Sequence, residues 1–344
     1  MNKFFSNTIL INAFKNCIPV SCTVEITRYC NFRCKHCYVP SDHMLFLPYE
    51  NAVKFIDQIA SKGCLFLTIT GGECLSHPNF IEIYKYAFSK NLLISVFTNG
   101  SMLNKKHFKL FKKYPPYLVE ITLYGFSEET YKDVTGVSSF HNVTSNILKL
   151  KKLGINISLK MFVLKNNYND FSLVKKFSSD NDIPFRFDYI ILDKNKLLRD
   201  KYQIDSSKIK HLELHNSNVI PTDASITTAW DSAIKEVVPT KLFNCAAGRN
   251  SCWLKADNNL YICNFFKKIC YNMNEYTFEE AWSRIVNYIS AIEKRPGGCF
   301  DCAKKEFCGI CPVKCENLEN DFYMQRGSPI YCLQATCRKE VSEQ

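Results

Sequence analysis

The sequence predicts an α/β fold with parallel strands, and three observations carry that expectation. Short β-branched runs alternate with amphipathic stretches six times between Cys22 and about Ile191. Residues 23–27, 65–70, 92–98, 118–123, 156–163 and 184–191 read as strands, because their branched apolar side chains suit a buried pleated surface. Gly63, Gly100 and Gly154 punctuate the ends of elements. Repeated strand–helix units lay successive strands side by side with right-handed crossovers. Six strands fall short of the eight that close a full barrel. An open partial barrel and a doubly wound sheet both satisfy the pattern.

Before the first strand, residues 1–20 hold apolar side chains broken by Asn7, Asn12, Lys15 and Asn16. They run into the strand with no spacer or small-residue cleavage site, so no secretory signal is expected. No apolar run reaches the roughly 18 residues of a membrane span. Helices are expected over 48–61, where Val53, Ile56, Ile59 and Ala60 share a face, and over 79–89, 104–113, 140–153 and 170–178. Three units follow from this: a barrel at 18–193, a polar helical linker at 194–244 and a final unit at 245–344. The linker has helix candidates at 206–215 and 228–236. The final unit holds eleven of the eighteen cysteines, a density that marks a core built more on metal than on apolar packing.

The 344 residues, 46% hydrophobic and 22% charged, have the profile of a folded chain and exclude a disordered one. Eighteen cysteines without an export signal point to metal in a reducing cytoplasm rather than to disulfides. The balance of 44 Lys and Arg against 33 Asp and Glu gives +11, yet the lysines scatter as pairs such as Lys105-Lys106 and Lys267-Lys268. No basic patch with interleaved aromatics stands out, which argues against a nucleic-acid partner. Three iron–sulfur clusters would bring the balance to about +6, since cluster and thiolate charges count together.

The chemistry sits at strand ends. Cys30, Cys34 and Cys37 follow the first strand in C-x3-C-x2-C spacing. Three thiolates leave one iron of a four-iron cube open, whereas structural zinc prefers four protein ligands in paired spacing. Ligands at the C-terminal end of a first parallel strand lie at the mouth of a barrel. After the second strand comes Thr70-Gly71-Gly72-Glu73-Cys74, whose glycines admit a close backbone approach and whose carboxylate suits an ammonium group.

Together with Tyr38, these residues resemble the radical S-adenosylmethionine (SAM) superfamily. The resemblance implies a partial (β/α)6 TIM-like barrel. It also implies a four-iron four-sulfur cluster on Cys30, Cys34 and Cys37 whose fourth iron is chelated by SAM. Gly71, Gly72 and Glu73 would bind the methionyl amine, and Tyr38 would lie near the adenine. A reducing electron then cleaves SAM to methionine and a 5′-deoxyadenosyl radical that abstracts hydrogen from carbon. Asn99, in Thr98-Asn99-Gly100, and Thr122 match further SAM-binding positions, Thr122 toward the SAM carboxylate. Tyr124 replaces an acid that some relatives use, so no general base is expected there. Lys160 and Asp188 are weaker candidates at the SAM and substrate sites.

The final unit resembles the SPASM domain, giving a small cysteine-rich C-terminal α+β domain. The family's interleaved ligation implies a first auxiliary cluster on Cys245, Cys252, Cys263 and Cys311. The second falls on Cys299, Cys302, Cys308 and Cys332, with Cys315 and Cys337 as spares. A zinc module is the alternative for this unit alone. Asp257-Asn258-Asn259 stands where Asp-Gly is usual, and Asn tolerates the left-handed turn. Two closed auxiliary clusters suit electron transfer and hence an oxidative outcome. Cys74 is a candidate hydrogen-atom donor to a substrate radical, and its alternative is a buried small hydrophobe. Cys17, Cys22, Cys64 and Cys270 read as core residues.

The resemblance therefore implies an enzyme that uses SAM and three 4Fe–4S clusters to modify a ribosomal peptide or protein, for example by a thioether, ether or C–C crosslink. Alternatives are a sulfatase-type or quinoprotein maturase, a peptide epimerase, and a non-catalytic iron–sulfur or zinc protein. Only 29 residues precede Cys30, too few for the family's N-terminal peptide-recognition domain. A separate recognition protein or direct docking of the precursor would replace it. A flavodoxin or ferredoxin would supply low-potential electrons.

Overall fold

The alternation in the sequence becomes six parallel strands in the spatial order β6-β5-β4-β3-β2-β1. The computed structural model describes residues 3–37, 39, 44–192, 196–216, 240–243 and 245–343. The strands are β1 (Ser21–Glu25), β2 (Phe66–Thr70), β3 (Leu93–Thr98), β4 (Leu118–Thr122), β5 (Ile157–Phe162) and β6 (Phe185–Asp188). A doubly wound sheet reverses its strand order at a switch point. This one never reverses, as a partial barrel requires.

Helix α1 (Lys3–Lys15) precedes β1, and α2 (Tyr49–Ser61) and α3 (Phe80–Ser89) follow β1 and β2. Next come α4 (Lys105–Lys113), α5 (Glu128–Thr135), α6 (Phe140–Lys152) and α7 (Phe171–Asp180). Their apolar faces cover one side of the sheet: Ala52, Phe55, Ile56 and Ile59 of α2 join Cys22, Val24, Leu67, Ile69, Val96 and Ile121 in one core. Side chains alternate along a strand. The opposite face, which becomes the barrel lumen, therefore carries Glu25, Thr68, Ser95, Glu120, Thr122, Lys160 and Arg186. Phe66, Phe97, Leu118 and Phe162 share that face, so the lumen mixes polar and aromatic side chains.

The sheet does not stop at β1. Strand β7 (Ser251–Leu254) pairs parallel with β1, and β8 (Asn259–Tyr261) and β9 (Cys270–Asn272) extend it antiparallel to nine strands. Asn258 makes the β7–β8 turn at φ 58°, so asparagine does supply the left-handed residue there. The cysteine-rich segment thus shares a sheet with the barrel. Helix α8 (Lys196–Tyr202) and α9 (Ser206–Asn216) follow β6, and the helix candidate at 228–236 lies outside the described residues. Helix α10 (Phe278–Ala291) opens with a Thr277/Glu280 capping box and packs Phe278 edge-on against Phe55 of α2. Short α11 (Pro312–Glu319) and α12 (Pro329–Ser342) complete the fold, with Arg338 of α12 on buried Glu213 of α9 at 2.8 Å. No described helix is long and apolar enough to cross a membrane.

Candidate active site and cluster sites

The loop that carries Cys30, Cys34 and Cys37 is pinned on both flanks. On one side Gly72 N–H donates to Thr27 O at 2.7 Å and Glu73 N–H donates to Tyr29 O at 2.8 Å. A Cβ on Gly71 would stand 2.6 Å from Thr27 O, and one on Gly72 would stand 2.5 Å from Tyr29 O. The two glycines therefore let the cysteine loop lie directly on the loop after β2. On the other side Arg33 and Lys35 N–H groups donate to Thr135 and Val134 carbonyls at the end of α5. Phe32 anchors between them, buried edge-on to Tyr124 and Tyr131. Tyr38 lies outside the described residues.

The three thiols share one short loop. Burial, and then Glu73 and Cys37, push the Cys30 thiol up to about 11 despite a hydrogen bond from Phe32 N–H. Burial also raises Cys34 and Cys37, Cys34 feeling both of its partners. As bare thiols they stay protonated at neutral pH; bound to iron they ionise. The Tyr124 hydroxyl lies beside Cys34 and favours its ionised form, so the residue that replaces an acid in the sequence pattern stands next to a proposed cluster ligand. His36 stacks on Phe162 at 4.4 Å, and burial lowers it to about 3, so it is neutral.

Glu73 is fully buried beside this loop. Its Oε1 accepts from Thr98 Oγ1 at 2.7 Å and Leu75 N–H at 3.0 Å, and its Oε2 accepts from Asn99 N–H at 2.7 Å. Asn99 turns its side-chain amide to Asn31 Oδ1 at 2.9 Å and toward Cys30 Sγ at 3.8 Å. Thr122 ends β4 on the lumen face, in register with Lys160. Burial, and then Arg186, lower the Lys160 ammonium, while Arg186 forks onto Glu120 with its Nε at 2.6 Å. Asp188 is exposed at the end of β6 and accepts from Tyr189 N–H at 2.7 Å.

Cys74 is not presented to the mouth. It is fully buried, its Sγ donates to Phe97 O at 3.2 Å, and burial raises its thiol strongly. That is the environment of a packing residue. Cys270, expected in the core, is exposed on β9.

The late cysteines form two groups. Desolvation, and then the Cys308, Cys332 and Cys302 thiols, push Cys299 up to about 11. A Cβ on Gly327 would meet Cys299 Sγ at 2.9 Å and Cys332 Sγ at 3.8 Å, so glycine leaves the space between these thiols free. In the second group, desolvation and then Cys311 and Cys263 push Cys245 up to about 11. Cys252 does not join them: it points into the sheet's covered face, 3.2 Å from Cys22 Sγ. Cys315 lies by Asp321 and Cys299, and Cys337 by Glu340 and Lys210.

A cavity of about 660 Å³ lies between the first cysteine loop and the cysteine-rich segment. Arg28 and Val39 of the first cysteine loop, Leu192 beyond β6, and Lys255, Phe265 and Val313 of the cysteine-rich segment all line it.

The radical SAM superfamily profile matches residues 24–177, the stretch that contains this loop and the glycine pair. That stretch is a radical SAM domain. It is 32% identical over 154 residues to the subtilosin biosynthesis protein AlbA of Bacillus subtilis, covering 44% of this chain and 34% of AlbA. It thus spans about a third of that relative. It is 22% identical over 334 residues to an AdoMet-dependent heme synthase of Methanosarcina barkeri, covering 89% of this chain and 95% of that one. The structure of Streptococcus suis SuiB bound to precursor peptide SuiA matches with TM-score 0.72 at 14% identity, over 94% of this chain and 79% of SuiB, which is a likeness of fold.

A radical SAM domain implies SAM and a 4Fe–4S cluster as the groups this site would hold. The donor set fits in kind: three thiols stand on one short loop that the glycine pair holds against the loop after β2. Two contributions escape sequence reasoning. The Tyr124 hydroxyl beside Cys34 has no motif, and Asn99 reaches the cysteine loop because Asn31, inside the C-x3-C gap, meets it.

Proposed function

We propose that this radical SAM enzyme oxidatively modifies a ribosomally made peptide bound in the cavity between the first cysteine loop and the cysteine-rich segment. The observation that carries the reading is that one 660 Å³ space is walled by residues of both. The likeness to AlbA, a bacteriocin biosynthesis protein, supports a peptide substrate. Cys30, Cys34 and Cys37 would hold the cluster that meets SAM, and Gly71, Gly72 and Glu73 would receive the methionyl amine. Asn99 and Thr122 would line the SAM site, and Tyr38 would stand near the adenine. Cys299, Cys302, Cys308 and Cys332, and the group around Cys263, would hold two auxiliary clusters.

These groups supply one-electron chemistry when bound; the chain's own residues orient and enclose. A crosslink removes two hydrogens from the peptide. SAM, held by Gly71, Gly72 and Glu73, would supply the acceptor of one as a hydrogen atom; the other would go as a proton to solvent, its electron taken by the groups that Cys299, Cys302, Cys308 and Cys332 would hold. The low-potential donor would be a flavodoxin or ferredoxin, and a separate recognition protein would assist docking. The cytoplasm would supply the reducing conditions.

The test is anaerobic incubation of the reconstituted enzyme with SAM, reductant and candidate precursor peptides encoded nearby. Formation of 5′-deoxyadenosine with a peptide mass loss of about two hydrogens supports the reading. The end-to-end match to a heme synthase favours a second reading, a tetrapyrrole in the same cavity. Turnover of an iron porphyrin carboxylate with no peptide turnover would replace the first reading with the second.

A further inference from the structure

We infer that the 660 Å³ cavity takes its substrate through a carboxylate that Lys255 holds, with Lys267 beside it in the wall. That an aspartate or glutamate of a peptide supplies the carboxylate rests on the reading above.

The wall carries an ammonium group without a counter-ion. Lys255 directly follows β7 and is only 6% exposed. Its Nζ donates to Asn264 O at 2.8 Å and stands 4.5 Å from the centre of the Tyr261 ring. An ammonium has three N–H donors, so two remain for a ligand. Among the described residues, no carboxylate forms an ion pair with it, because those nearby are taken. Arg28 draws both Glu25, at 3.2 Å from its Nε, and Asp257, at 2.5 Å from its Nη2. Glu25 also accepts from Ala256 N–H at 3.3 Å, and Glu316 pairs with Lys268 at 3.0 Å. Counting Asp257 behind Arg28, four cations meet three carboxylates, and the surplus charge falls on Lys255 and exposed Lys267.

A buried charge without a partner is costly. Burial lowers the Lys255 ammonium; Glu25 offsets part of that, and Lys267 and Arg28 add to it. A carboxylate brought to Lys255 answers both the burial and the like-charge repulsion through a charge-assisted hydrogen bond. Val39, Leu192, Phe265, Phe266 and Val313 supply an apolar remainder of the wall. The cavity therefore suits an acidic group set among apolar ones, and its volume lies within the roughly 300–1,000 Å³ of ligand sites.

Binding to the anaerobically reconstituted full chain, read by equilibrium dialysis, tests this. One pair of probes is a short synthetic peptide with a single aspartate among apolar residues, and its asparagine twin. The other is an iron porphyrin tetracarboxylate and its tetramethyl ester. Wild type should bind the aspartate peptide at least about tenfold more tightly than the twin. Lys255→Gln, which keeps a donor for Asn264 O without the charge, should bind the two about equally. Lys255→Arg should restore the preference, and Lys267→Gln should narrow it only about two- to fivefold. Melting temperatures show that each variant is folded; should Lys255→Gln fail to fold, the wild-type comparison still decides. Equal binding of both peptides to wild type, or a preference that survives in Lys255→Gln, overturns the inference. So does failure of both acidic probes to bind. If neither peptide binds while the tetracarboxylate binds more tightly than its ester, and loses that lead in Lys255→Gln, the carboxylate site stands and the peptide reading alone is removed.

Discussion

Asn99 N–H donates to Glu73 Oε2 at 2.7 Å and so ties the end of β3 to the loop after β2. With Thr98 Oγ1 and Leu75 N–H on Oε1, three donors hold a carboxylate whose burial favours its protonated form. An ammonium group brought against it would tip the balance to the ionised form, and the donors already in place would then hold that form. Glu73→Gln keeps the shape and removes the charge. Its SAM affinity, measured by equilibrium dialysis on the iron-loaded protein, is expected to fall at least about tenfold, or about 1.4 kcal/mol. Unchanged affinity would remove Glu73 from the SAM site.

The glycine pair predicts a defect in loop closure. Gly72→Ala places a methyl 2.5 Å from Tyr29 O and 2.6 Å from Arg28 O, both backbone atoms that cannot yield alone. The cysteine loop must lift, and iron per chain is expected to drop by about four from about twelve. Gly63→Ala is the contrast. It meets nothing within 4 Å but sits at φ 83°, so it should cost about 1 kcal/mol of stability and no iron. Full iron loading of Gly72→Ala would show that the loop does not need this contact.

The barrel strands are legible in the sequence because branched apolar runs such as Leu67, Ile69, Val96 and Ile121 build one covered face. Periodicity leaves barrel and doubly wound sheet equal, and strand order decides between them. Helix α5 is short and polar, with only Tyr131, Val134 and Thr135 buried, and shows little helical spacing. Strands β7 to β9 have three or four residues each, too few for a period to appear. Cysteine spacing marks Cys299, Cys302 and Cys308, which lie in tight turns. It also marks Cys252, whose thiol lies buried beside Cys22, because spacing carries no information about which face of a strand a side chain takes. Cys74 sits by Glu73 in the sequence, yet the short helical turn after Glu73 folds its thiol inward to Phe97 O.

Tyr124→Phe removes one hydroxyl and nothing else from the Phe32–Tyr131 cluster. Hydrogen bonds to ligand sulfur stabilise the reduced, more negative cluster. Losing the hydroxyl beside Cys34 should make the first cluster harder to reduce, by the worth of about one hydrogen bond, roughly 1 kcal/mol. An EPR-monitored redox titration reads this, with melting temperature as the control. A potential equal to wild type would show that the hydroxyl does not bond this ligand in the loaded protein.

Removing iron should unfold one part of the chain before the rest. Residues 297–343 contribute few large side chains to the core, among them Val313, Leu318 and Tyr331, while the barrel supplies every strand pair from β1 to β6. Glycines at positive φ, Gly297, Gly298 and Gly327, shape the turns around Cys299, and turns of this kind have no apolar reason to persist alone. Arg338 on buried Glu213, Lys210 on Glu340 and Gln334 Nε2 donating to the Tyr189 hydroxyl hold α12 to α9 and to the end of β6. These polar ties leave the turns around Cys299 without an anchor of their own. Chelation under air is therefore expected to expose Lys304, Lys305 and Lys314 to trypsin while the barrel amides keep their hydrogen-exchange protection. Equal loss of protection in β2 to β4 would mean that the clusters stabilise the whole nine-stranded sheet through the β1–β7 pairing. In that case Cys22→Ala and Cys252→Ala, which loosen that seam, should lower the melting temperature of the iron-free barrel as well.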